Sequence, residues 1–208
     1  MAEIAVDVVL LPSEEMADKA IAANKELLKQ CADKIVLDKE GCLPHISLAM
    51  GCIDERDIDN IEKILQATAN QSSPGQLSVI GIHTETNSAG EKVSVFQIEK
   101  TEALQSLHEE VMQRLAPYFN YDVTEDMVLS PPMAGESTLA WIKSYPEKSS
   151  FEKFSPHITI GYGEINDYSF PTEFAVSSAR CPVEKLALCH LGNHCTCRKI
   201  LASVKLES

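Results

Sequence analysis

Leu43-Pro44-His45-Ile46-Ser47-Leu48 and Ser155-Pro156-His157-Ile158-Thr159-Ile160 are one string written twice, and its repetition organises the rest of the chain. Each copy runs proline, histidine, apolar, serine or threonine, apolar. Each is closed by glycine: Gly51 after the first, Gly161 and Gly163 after the second. Alternating polar and apolar residues opened by a proline and followed by a glycine mark a short strand. Alternate side chains of a strand share a face, so His45 points the same way as Ser47, and His157 the same way as Thr159. Each strand therefore offers an imidazole beside a hydroxyl.

The flanking sequence repeats with the motif. Residues 4–11 form a β-rich run interrupted by Asp7, and Ser13 then caps a helix reaching about residue 31. The first motif strand follows at 43–50. In the second half, 92–99 reads as a strand and Thr101 caps a helix to about 119, with Leu104, Leu107, Val111 and Leu115 at helical spacing. The second motif strand is 157–162. Between these stretches lie a helix from 54 to about 70 and a strand at 77–83, joined to 92–99 by the turn-rich 87–90. After them come a short strand near 173–176 and a closing hairpin, 183–191 and 194–206, turning at Gly192-Asn193. The chain reads as two rough copies of one β/α unit, about 1–98 and 99–208, with strand 92–99 open to either half. If the copies pack about a pseudo-two-fold axis, the two imidazole–hydroxyl pairs converge on one cleft.

Composition narrows the partners. The 208 residues carry 18 Lys and Arg against 31 Asp and Glu, a net charge of −13. Binding to duplex DNA needs many phosphate-neutralising cations, so that class is excluded, whereas a small anion in a local pocket is not. No apolar run approaches the length of about 18–20 residues that a membrane helix requires. The opening MAEIAVDVVLLPS lacks a basic leader and reads as the first strand rather than a signal peptide. Seven scattered cysteines fit reduced thiols in a cytoplasmic protein better than a disulfide framework. No P-loop and no G-x-G-x-x-G string occurs, which leaves triphosphate hydrolysis and dinucleotide redox chemistry without support.

Two imidazoles titrating near ~6.5 are what in-line cleavage of a phosphodiester needs at neutral pH. One, neutral, takes a proton from attacking water; the other, protonated, gives one to the leaving oxygen. The two hydroxyls can donate to the non-bridging oxygens, where charge accumulates. This arrangement requires no metal and no cofactor. The duplicated His-x-(Ser/Thr)-x strings resemble the 2H phosphoesterase superfamily, which includes the bacterial RNA 2′,3′-cyclic phosphodiesterase and 2′-5′ RNA ligase group and the plant cyclic phosphodiesterases. The resemblance implies an α+β, bilobal fold in which two antiparallel sheets flank a central cleft about a pseudo-two-fold. One such domain would span 1–208, with strands exchanged between lobes. It also implies metal-independent action on a cyclic or 2′-linked phosphoester. By motif position His45 and His157 would be catalytic, with Ser47 and Thr159 on the phosphate. Many relatives carry a basic residue two positions beyond the second motif, where some have tyrosine. Here Tyr162 stands there, a phosphate donor without charge, and its counterpart in the first motif is Met50. These residues favour a nucleotide or an RNA-terminal 2′,3′-cyclic phosphate, met by a monomer. The alternatives are 2′-5′ RNA ligation or cleavage of 2′-5′ oligonucleotides, and non-catalytic binding of phosphorylated RNA ends.

Other residues carry weaker signals. The connection into the second motif is about two dozen residues longer than its counterpart, and long connections often act as lids. The surplus falls in 120–155, read as irregular, where Trp141 and Tyr145 are candidates to stack on a base, beside Tyr121. Lys143, Lys148 and Lys153 are the basic side chains nearby. Cys189, His190, His194, Cys195 and Cys197 crowd the last hairpin without a zinc spacing, and buried thiols are their default reading. A two-residue turn at Gly192-Asn193 would set His190 opposite Cys195, and His190 is also a candidate cleft residue. His83 and His108 read as structural or exposed.

Overall fold

The computed structural model describes residues 2–31, 34–87, 90–165 and 179–206. Its first sheet is built on β1 (Glu3–Pro12), which pairs antiparallel with β2 (Ile46–Asp54) on one side and β7 (Val183–Leu191) on the other. The edge beyond β7 is β8 (Cys197–Lys205), giving the order β2-β1-β7-β8. With neighbours on both edges, β1 is buried over nearly its whole length. This is why its sequence is a continuous apolar run rather than an alternating one. The second sheet has the order β5-β4-β3-β6, from β5 (His157–Tyr162), β4 (Lys92–Ile98), β3 (Ser78–Thr86) and the two-residue β6 (Ala179–Arg180). The closing hairpin thus completes the sheet begun by β1, and β3 and β4 join the strand of the second motif. The short strand expected near 173–176 lies outside the described residues.

Helices exchange partners as the strands do. α1 (Glu14–Leu28) follows a strand of the first sheet but packs on β5, and α3 (Glu102–Leu115) follows β4 but packs on β2. Both start on side-chain caps: Ser13 Oγ accepts the Met16 amide at 3.4 Å and Thr101 Oγ1 that of Leu104 at 3.2 Å. α2 (Ile58–Gln71) begins later than its sequence pattern indicates, because Glu55–Asp57 form a single 3₁₀ turn, and it packs on β7 and β8.

Three readings of the sequence are corrected. The stretch 120–155 is not irregular: it contains α4 (Glu136–Lys148), flanked by two short 3₁₀ turns. Gly135 has no side chain to cap this helix. The cap comes from Asn193, between β7 and β8, whose Oδ1 accepts the Gly135 amide at 2.9 Å and the Thr138 hydroxyl at 2.8 Å. The second correction concerns that connection. Leu191 pairs with Cys197 and His190 with Lys199, so the turn spans 192–196 and His190 does not face Cys195. Residues 193–195 form a 3₁₀ turn in which His194 (φ 60°) and Cys195 (φ 55°) both enter the left-handed region. Cys189 of β7 and Cys197 of β8, which are not register partners but have Cα atoms 5.7 Å apart, are joined as a disulfide where reduced thiols were expected. The remaining five cysteines are free.

Candidate active site

Each motif strand carries the same irregularity one residue past its hydroxyl. Val9 pairs with Ser47 and Val8 with Ala49, which leaves Leu48 as an extra residue in β2. Val95 pairs with Thr159 and Ser94 with Gly161, which leaves Ile160 extra in β5. A bulge advances the alternation by one residue and re-aims the side chains beyond it. Met50 and Tyr162, which simple alternation would turn away from Ser47 and Thr159, therefore join them on the walls of one cleft. Bulges leave ladder groups unpaired, and here two fully buried polar side chains take up the carbonyls. His108 of α3 donates Nδ1–H to Leu48 O at 2.6 Å, and its Nε2 accepts the Phe151 amide at 2.7 Å. Asn24 of α1 donates to Ile160 O at 2.7 Å and to Ile35 O at 2.9 Å, and accepts the Leu37 amide. Gly161, at φ 154°, leaves room for Asn24, since a Cβ there would lie 3.1 Å from Nδ2. His108 is thus a structural histidine, kept neutral by burial.

The edge strands β2 and β5 meet at a cleft of about 300 Å³. His45, Ser47, His157 and Thr159 all line it. His45 sits just before β2 and His157 opens β5. Both rings are held alike: His45 Nδ1 donates to Leu43 O at 2.7 Å, and His157 Nδ1 to Ser155 O at 2.8 Å. A carbonyl can only accept, so this bond puts the ring hydrogen on Nδ1 and leaves Nε2 for chemistry. The rings differ in burial. The His45 side chain is 14 % exposed, and desolvation, aided by the charge of His157, pushes its pKa down to about 4. His45 is therefore neutral at neutral pH, as a proton acceptor must be.

Behind His45 lies a group that reading the motifs alone does not find. Asp7, fully buried in the middle of β1, has Oδ2 2.6 Å from Ser47 Oγ and 3.9 Å from His45 Nε2. Its Oδ1 has no hydrogen-bond partner among the described residues. Burial raises its pKa to about 8 against the lowering effects of the Ser47 hydroxyl and the Ala49 amide. The available signal was the acidic residue interrupting an otherwise apolar strand. In the second motif pair the matching residue is Val93, opposite Tyr162 as Asp7 is opposite Met50.

The remaining walls come from α4, the end of β3 and the β7–β8 turn. Trp141 and Tyr145, expected on a lid, stand on α4 and line the cleft: Trp141 is 37 % exposed, whereas Tyr145 is buried. Burial raises the Tyr145 hydroxyl well above its usual pKa, so it stays protonated. Glu85 and Asn87 come from the β3 end, His194 and Cys195 from the turn. Tyr162 Oη lies 3.1 Å from His194 Nδ1, and Lys34 Nζ stands 4.9 Å from the Tyr162 ring centroid while paired with Glu91. Among the described residues no lysine or arginine lines the cleft. Lys143, Lys148 and Lys153 are not part of it, and Lys153 donates instead to Glu147 O. Tyr121 and His83 lie outside it as well. His190 also points elsewhere, donating from Nε2 to Met127 O at 3.0 Å. Among the described residues no three His, Cys, Asp or Glu side chains are grouped to hold a metal ion, and no helix is long and apolar enough to cross a membrane.

The family model described as the 2′-5′ RNA ligase superfamily matches residues 17–194, which include both motifs, α4 and the turn that caps it. No curated protein matches the chain.

Proposed function

The chain belongs to the 2′-5′ RNA ligase superfamily, that is, to the 2H phosphoesterases, and from that premise we propose that it hydrolyses nucleoside or RNA-terminal 2′,3′-cyclic phosphates. The observation that carries the reading is the pair of imidazoles held by identical Nδ1–carbonyl bonds on opposite walls of one cleft. Water attacks phosphorus in line with the ribose oxygen that leaves. His45 Nε2 takes the water proton as the new P–O bond forms, and His157 Nε2–H protonates the ribose oxygen as the old bond breaks. Product is the ring-opened phosphomonoester. Thr159 Oγ1 donates to a non-bridging oxygen, and so does Tyr162 once His194 Nδ1–H donates to it. Trp141 offers an indole face to the base, worth about 1–3 kcal/mol.

A cleft of about 300 Å³ is the size of a single nucleotide rather than of an RNA segment. No lysine or arginine among the described residues lines it, which suits the one charge of a cyclic diester better than the several charges of an oligonucleotide. One phosphoesterase unit formed by the whole chain, acting as a monomer in the cytoplasm, completes the reading. Both sheets supply residues to the cleft of that unit. The test is turnover, in EDTA, of the four nucleoside 2′,3′-cyclic monophosphates beside a 2′-5′-linked dinucleotide. The cyclic monophosphates are expected to open. Turnover of the dinucleotide alone would transfer the site to 2′-5′ chemistry, and tight binding of both without turnover would make it a binder.

A further inference from the structure

The two motifs share their bulge and their histidine anchoring, but differ in what stands behind the hydroxyl. Thr159 has Val93 diagonally behind it, which can neither donate nor accept. Ser47 has Asp7, close enough that one hydrogen must lie between the two oxygens. If Asp7 were ionised, Ser47 would have to donate its only hydrogen to the carboxylate and would show a phosphate nothing but lone pairs, which repel it. The Ser47 hydroxyl and the Ala49 amide favour that charge, and burial outweighs them both. The flanking strands face Asp7 with Met50 and Cys189, α4 brings Tyr145 and the β7–β8 turn brings Cys195. The phenol and thiol are both pushed above their ordinary ranges by burial, and Cys189 is in a disulfide, so none of these groups is charged at neutral pH. His45, the imidazole beside Asp7, is itself held neutral by burial. A bare carboxylate oxygen at Oδ1 would be costly here, whereas an unpaired carbonyl oxygen of a neutral acid costs far less.

We propose that Asp7 is a positioning residue of this site: its carboxyl carries a proton, donates it from Oδ2 to Ser47 Oγ, and so releases the Ser47 hydroxyl hydrogen to a non-bridging phosphate oxygen. Asp7 touches neither substrate nor water. It acts through Ser47, and gives the first motif the phosphate donor that Thr159 supplies unaided in the second. The same neutral carboxyl spares His45 a charge 3.9 Å away, which would otherwise draw a proton onto the base before water arrives.

The proposal rests on the phosphodiesterase reading, and its test separates the two. Asp7→Asn keeps a donor, the side-chain amide, aimed at Ser47. Asp7→Val copies Val93 of the other half and removes the donor without burying a charge. On a 2′,3′-cyclic monophosphate, Asp7→Val is expected to lower kcat about 10–100-fold with KM changed less than about threefold, and Asp7→Asn to recover at least tenfold of that loss. Ser47→Ala should lose no further activity in the Asp7→Val background, because both changes remove the same donor. In parallel, ¹³C NMR of the carboxyl groups, with Asp7 assigned by its disappearance in Asp7→Asn, should show one aspartate titrating above pH 7. That reading needs no turnover, so it stands even if the protein opens no cyclic phosphate. Titration of Asp7 near pH 4, or an Asp7→Asn variant as slow as Asp7→Val, overturns the proposal, since either would mean that the site uses the anion.

Discussion

Replacing Asp7 by asparagine preserves the shape of the side chain and deletes its titration, so the variant isolates what one buried proton does to stability. The folded-state pKa is about 8 against an ordinary 3.8, raised by burial. Between those values the native protein holds a proton that the unfolded chain releases. Stability therefore falls as pH rises across that window, by about 1.4 kcal/mol per unit, and is level below and above it. Burial of His45 works with the opposite sign, since its folded pKa lies near 4 and its ordinary one at 6.5. That contribution is complete above pH 6.5 and lost as pH falls toward 4, so the two slopes largely cancel in acid. Only the Asp7 slope remains above neutrality. The difference between wild type and Asp7→Asn removes the His45 part. Urea unfolding of both proteins at pH 5, 6, 7 and 8 should find Asp7→Asn gaining on wild type by about 4 kcal/mol across the series. A difference that stays level from pH 5 to pH 8 would show that Asp7 is already ionised in the fold, and would refute the reasoning.

Thr159→Val removes a hydroxyl of the cleft wall, and kcat on a 2′,3′-cyclic monophosphate should fall about 10²–10³-fold. Steady-state kinetics with kcat and KM resolved would check it, a pure KM effect counting against a transition-state role. His108→Phe leaves the Leu48 carbonyl unpaired beneath the first bulge and should cost about 1–3 kcal/mol in denaturant unfolding. Asn193→Ala uncaps α4, with an expected loss of about 1 kcal/mol and a Tm lower by about 2–4 °C. Because α4 carries Trp141 and Tyr145, activity should drop further than that stability loss explains.

The motif strands were legible because a period of two, a leading proline and a closing glycine are local signals. Local signals also placed α1 and α3, whose caps Ser13 and Thr101 belong to their own helices. α4 was not legible: its cap lies 58 residues downstream at Asn193, while Gly135 at its start and Pro146 inside it both argue against a helix. Strand pairing is equally non-local, and nothing in 183–205 announces that it completes the sheet of β1. The bulges hid the reason why Met50 and Tyr162 share a wall with the motif hydroxyls, although their equivalence could be counted from the motifs. Asp7 was visible as an oddity in an apolar run. Its meaning needed the register that sets it behind Ser47. The Cys189–Cys197 pairing depends on the same kind of register and could not be counted from an odd number of cysteines.

The central claim is that two histidines divide one proton-transfer task across a single cleft. Its most direct test is kcat/KM for a 2′,3′-cyclic monophosphate, in EDTA, of wild type, His45→Ala, His157→Ala and the double variant. Each single change should lower it about 10²–10⁴-fold, and the double variant should lose much less than the product of the two. Wild-type turnover in either single variant, or turnover that EDTA abolishes, would contradict it.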